Sequence, residues 1–87
     1  DIGILSYEEQ KEQARQLRKV EKEVKEREEA ISRIEATLQD LEQQMSTPEG
    51  AADAALITQY AAHQKKLEQT MADWEAAASR LEEIQSK

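Results

Sequence analysis

The stretch from Leu17 to Gly50, LRKVEKEVKEREEAISRIEATLQDLEQQMSTPEG, decides the fold. Its apolar residues fall at Leu17, Val20, Val24, Ile31, Ile34, Leu38, Leu41 and Met45, in steps of three, four, seven, three, four, three and four. With Leu17 at position a of a heptad and Val20 at d, only Arg27 interrupts the seam. No Gly or Pro occurs from Gln10 to Met45. A seam this regular predicts a long helix that supercoils with a partner. Ser46-Thr47-Pro48-Glu49-Gly50 then ends it, because Pro48 lacks an amide and disfavours helix at the residue before it. Pro48 also suits the first position of a new helix. Gly50 reads as a source of flexibility and Asp53 as a second capping site, so the turn is expected to hold a short helical piece.

Upstream, Ser6-Tyr7-Glu8-Glu9 has the form of a capping box, in which Ser6 and Glu9 satisfy each other's backbone amides. Downstream, a second seam reads Ile57, Tyr60, Gln64, Leu67, Met71, Trp74, Ala78 and Leu81, with Gln85 next. A short connection between two similar seams implies antiparallel neighbours. Pairing positions that sum to 98 sets Leu41 against Ile57, Leu38 against Tyr60, Ile31 against Leu67, Val24 against Trp74, Val20 against Ala78 and Leu17 against Leu81. Bulky Trp74 then lies beside small Val24 and Ala78, as a filled interface needs. Ile34 meets Gln64, Arg27 meets Met71 and Gln13 meets Gln85. The expected fold is all-α, an antiparallel two-helix coiled-coil hairpin. Residues 1–5 read as a linker and 6–87 as the hairpin, with helices over about 7–45 and 53–84 and a turn over 46–52. Its arms are about 50 Å long at ~1.5 Å per residue.

Composition agrees. Among 87 residues, 36% are charged, 3% are aromatic, and there are two Gly and one Pro. So little aromatic mass and so few turn residues argue against a globular core or a β-sandwich. Cysteine is absent, which removes disulfides, zinc clusters and thiol nucleophiles. His63 is the sole histidine, so no His-based metal site or Ser-His pair can form. Two distant glycines supply no phosphate loop. A two-helix hairpin also lacks a concave pocket that excludes water. Neither catalysis, cofactor, metal nor small-molecule substrate is expected. No apolar run nears the ~18–20 residues of a membrane span, and no signal peptide is visible, so the expected compartment is the cytoplasm. The chain opens Asp1-Ile2-Gly3 without an initiator Met and reads as a piece of a longer protein.

Three features can carry function. Lys11, Arg15, Arg18, Lys19, Lys22 and Lys25 occupy positions b, c and f, facing away from the seam. They can meet successive phosphates, or form a solvated face balanced by Glu one turn away. Glu21, Glu28, Glu35 and Glu42 hold position e of the first helix, and Glu68, Glu75 and Glu82 hold e of the second. This acidic edge either meets a basic partner surface or serves solubility and register. The opposite edge, Ala30, Thr37, Thr70, Ala77 and Ile84, is neutral. Trp74 and Tyr60 lie on the seam and read as core. Arg27 is either a register device beside Met71 or a side chain that snorkels to water. The net charge of −7 opposes approach to a polyanion.

Leu5-Ser6-Tyr7-Glu8-Glu9-Gln10, the blocks Ile31-Ser32-Arg33-Ile34-Glu35 and Leu38-Gln39-Asp40-Leu41-Glu42, the Pro48-Glu49 turn, and the late Trp74-Glu75 before Leu81-Glu82 follow one another in a telling order. In this the chain resembles the C-terminal coiled-coil domain of the ABC-F (Uup-type) ATP-binding cassette ATPases, soluble despite the transporter label. The resemblance covers roughly residues 5–84. Glu8 departs from the Lys common in the family's opening motif. The resemblance implies a parent ATPase that acts on ribosomes in translation, and an arm that contacts RNA, DNA or the ribosome. The competing expectation is a structural module, either a dimerising coiled coil or a brace against the parent's ATPase domains.

Overall fold

The computed structural model describes residues 6–86. Helix α1 spans Tyr7–Gln44, a short α2 spans Pro48–Ala51, and α3 spans Ala54–Gln85. The two long helices pack along each other as an antiparallel hairpin, and no strand is present among the described residues. The molecule measures 71 × 15 × 14 Å with a radius of gyration of 20.1 Å. A compact chain of this length would have a radius of about 12 Å, so it is a rod with a seam in place of a central core. Residues 1–5, the expected linker and the start of the opening motif, lie outside the described residues.

Each helix boundary follows from local chemistry. Ser6 is the N-cap of α1, its hydroxyl accepting from the Glu9 amide at 3.2 Å. At the other end the Ser46 hydroxyl donates to the Gln43 carbonyl at 2.6 Å. Thr47 is extended, with φ −94° and ψ 158°, as the residue before a proline prefers. Pro48 opens α2, and the Thr47 hydroxyl accepts from the Gly50 amide at 3.0 Å. Asp53 caps α3 by accepting from the Ala55 and Leu56 amides. The expected short helical piece within the turn is therefore present.

Gly50 corrects an expectation. It is buried, and a Cβ added there would stand 1.8 Å from the Gln44 carbonyl oxygen. Glycine is needed for the close approach of α2 to the end of α1, not for flexibility.

The α1 seam is the expected one. Val20, Ile34, Leu38 and Leu41 are buried, and Leu17, Val24, Ile31 and Met45 are half-buried. Only the d series of the α3 seam, Tyr60, Leu67, Trp74 and Leu81, lies against α1 as expected. Of the expected a series only Ala78 is half-buried. Ile57 is 47% and Met71 45% exposed, and Gln64 and Gln85 are exposed too. Leu56, His63, Thr70, Ala77 and Ile84 take its place, and Ala77, at 1% exposed, is the most buried residue of the core. Most of the edge read as neutral is thus part of the interface.

Helix α3 has rolled about its axis so that positions d and g face α1. Two forces act in that direction. Rolling separates the glutamates at the two e edges, which repel one another. It also sets Ala30 beside Thr70 and turns Ala77 inward, and small residues let backbones approach.

The axial register survives the roll. Gln13, Ala14 and Leu17 border one cleft with Ile84 and Gln85 at the open end of the hairpin. Side-chain bonds that cross the interface include Tyr60 to Glu42 and Arg80 to Glu23, each at 2.7 Å. The residue numbers sum to 102 and 103, a turn beyond 98. Helical side chains lean toward their own N-terminus. Tyr60 and Arg80 therefore lean toward the turn, Glu42 and Glu23 lean away from it, and the pairs meet midway.

Candidate functional site

The hairpin carries three surfaces of different chemistry. The first is the outer face of α1. Lys11, Arg15, Arg18, Lys19, Lys22 and Lys25 are all exposed. Arg15 pairs with Glu12 at 3.0 Å, and Lys22 reaches Glu26 at 4.0 Å, both within one helical turn. Lys11, Arg18, Lys19 and Lys25 have no ion-pair partner among the described residues. The balance by glutamates one turn away is therefore incomplete.

The second surface is a groove on the g side, which the sequence reading did not find. Arg27, Arg33, His63 and Lys66 border it, with Ala30, Ile34, Thr37 and Thr70 between them. Arg27, Arg33 and Lys66 lack ion-pair partners among the described residues. The Thr37 hydroxyl donates to the Arg33 carbonyl at 3.1 Å and that of Thr70 to the Lys66 carbonyl at 2.8 Å, which keeps both methyls and both backbones in place. The His63 Nδ1–H donates to the Gln59 carbonyl at 2.8 Å, so Nε2 is the free ring nitrogen. Arg27 thus lies on the side away from Met71 and keeps its charge in water, the snorkelling alternative. Arg27 and Arg33 sit on α1 while His63 and Lys66 sit on α3. Only the pairing of the helices assembles them, because thirty to thirty-nine residues of sequence separate the members on α1 from those on α3. The sequence signal was Arg33 and Lys66 at position c, next to the neutral g positions, with Arg27 at d.

The third surface is the acidic e side. Glu21, Glu28, Glu35 and Glu42 from α1 and Glu68, Glu75 and Glu82 from α3 are all exposed. Glu42 accepts the Tyr60 hydroxyl hydrogen bond. That bond, then desolvation, then the Glu42 charge raise the Tyr60 pKa above its ordinary 10.0, with Gln64 opposing. A carboxylate acceptor favours the protonated phenol. Trp74 is half-buried in the seam as expected, and its Nε1 is buried without a protein acceptor.

Among the described residues no group of three or more His, Cys, Asp or Glu is arranged to hold a metal ion. No helix among them is long and apolar enough to cross a membrane. Compared with known proteins, the chain matches no family model, no curated protein and no solved structure.

Proposed function

We propose that this hairpin is a non-catalytic arm that contacts the phosphate backbone of a nucleic acid. The observation that carries the reading is a set of seven cations that have no ion-pair partner among the described residues. Lys11, Arg18, Lys19 and Lys25 stand on the outer face of α1, and Arg27, Arg33 and Lys66 border the g-side groove. Phosphates recognised in this way release counterions, and such binding weakens as salt rises. Seven of the nineteen carboxylates stand at e positions, while Glu12, Glu26 and Glu29 share the face of the α1 cations, so the net charge of −7 opposes the approach and the local cation set must outweigh it. The order of opening motif, proline turn and late Trp74 supports a more specific form. In that form the arm is the C-terminal domain of a cytoplasmic ABC-F ATPase, and ribosomal RNA is the phosphate source. Two ATP-binding cassettes upstream in the parent chain would support this form, and their absence would remove it.

The test is binding to duplex DNA and to structured RNA at two salt concentrations. Replacing Lys19 and Lys25 with Gln leaves the seam untouched. It is expected to flatten the plot of log affinity against log salt by about 1.8 for duplex and ~1.4 for single strands. Affinity unchanged by that replacement, and by Arg33→Gln with Lys66→Gln, would leave the cations as a solvated face.

A further inference from the structure

The roll of α3 opens a strip of apolar side chains on the e side. Ile57 and Met71 are 47% and 45% exposed, and Val24, Ile31 and Ala78 beside them are only half-buried. In the antiparallel register the a residues of the two helices alternate along the strip. From Ile57 to Ala78 it runs for three heptads, about 32 Å at ~1.5 Å per residue. Glutamates stand along both margins, Glu21, Glu28, Glu35 and Glu42 on one and Glu68, Glu75 and Glu82 on the other, with Ala61 at the α3 position nearest the turn.

We propose that this strip docks a third helix, cationic and amphipathic, supplied by a partner polypeptide. The occupant is an apolar heptad seam of about three heptads, flanked by Lys or Arg. The apolar floor specifies the seam, since exposed Ile57 and Met71, two heptads apart with Gln64 between them, and half-buried Val24, Ile31 and Ala78 match knobs of a facing helix. The charge specifies the flanks. Seven carboxylates around one strip repel one another, and cations between them relieve that repulsion. A second copy of this chain does not fit. Its own strip is bordered by glutamates, and its cations at Lys11, Arg18, Lys19 and Lys25 lie on a face with no apolar residue between them. A nucleic acid or an anionic lipid surface meets the same negative margins. The inference concerns the face opposite the g-side groove and does not rest on the nucleic-acid reading.

The experiment uses three designed peptides of about three heptads. One has Leu at a and d with Lys at e and g, one carries Glu in place of Lys, and one has the Lys peptide's composition with its apolar positions scrambled. Binding to the full chain is followed by calorimetry and by Trp74 fluorescence. The Lys peptide is expected to bind one to one, and the other two to bind about tenfold or more weakly. Replacing Ile57 and Met71 with Gln is expected to weaken the Lys peptide by about tenfold or more, from two lost apolar contacts. Circular dichroism checks that the helices persist. Glu28→Gln with Glu75→Gln, which touches neither floor nor seam, is expected to weaken it as well and to flatten its salt dependence. Equal binding of the scrambled peptide, or of the Ile57 and Met71 variant, would overturn the proposal. So would concentration-dependent self-association abolished by Met71→Gln, which would make a second copy the occupant.

Discussion

The Arg80 guanidinium donates to Glu23 Oε2 at 2.7 Å, joining residues 57 positions apart across the interface. The side chains are 57% and 34% exposed, so water and salt screen most of the attraction. The contact reports register more than it contributes stability. A double-mutant cycle through Glu23→Gln and Arg80→Gln is expected to give a coupling below about 1 kcal/mol, smaller still in high salt. A coupling of several kcal/mol would show that the pair is more deeply held than its exposure indicates.

The choice of face on α3 is open to direct test by substitution. Ala77 is 1% exposed, so Ala77→Leu is expected to destabilise the hairpin by about 1–3 kcal/mol through overpacking. Leu38→Ala is expected to cost about 2–5 kcal/mol. Met71→Ala, at a position 45% exposed, is expected to cost under about 1 kcal/mol. Thermal denaturation followed by circular dichroism ranks the three. Met71→Ala costing as much as Leu38→Ala would restore Met71 to the seam.

Gly50→Ala is a backbone test of the turn. The added methyl meets the Gln44 carbonyl oxygen, which is main chain and cannot swing aside. A loss of about 1–3 kcal/mol is expected, from the overpacking and the displaced turn. Thr47→Ala, which removes only the hydroxyl that accepts from the Gly50 amide, is expected to cost about 1 kcal/mol. A Gly50→Ala protein as stable as the parent would show that the turn relaxes freely.

Tyr60 offers a pH signature. Its pKa is raised in the fold, so the native state holds the phenolic proton more tightly than the unfolded chain does. The associated stability is fully present below the unfolded value of about 10 and is lost as pH rises through the raised value. In a Tyr7→Phe background, ultraviolet titration of the remaining phenol is expected to have its midpoint above 10.0. Adding Glu42→Gln removes both the carboxylate acceptor and its charge and should lower the midpoint. A midpoint indifferent to Glu42 would mean that the hydrogen bond does not persist in solution.

How much of this was legible beforehand differs between the two helices. In α1 the residues outside the seam are almost all charged or polar, so a single stripe dominates and its orientation follows from spacing alone. The capping groups Ser6, Thr47 and Asp53 and the break at Pro48 were equally legible, because they act through their own neighbouring amides. The groove of Arg27, Arg33, His63 and Lys66 was not. Its members come from two helices, and which of them share a side depends on how the helices face one another.

The sequence by itself determined a hairpin of two long helices, where each begins and ends, the buried stripe of α1 and the axial register. All follow from local capping, proline chemistry and a heptad period. The tertiary structure decided which side of α3 meets α1. The d series of Tyr60, Leu67, Trp74 and Leu81 is common to both choices. The flanking series, Ile57, Gln64, Met71 and Ala78 against Leu56, His63, Thr70, Ala77 and Ile84, are each mixed in polarity, so periodicity does not separate them. Close approach at Ala77 and the mutual repulsion of the e-edge glutamates favour the second. Both effects exist only once the helices lie side by side.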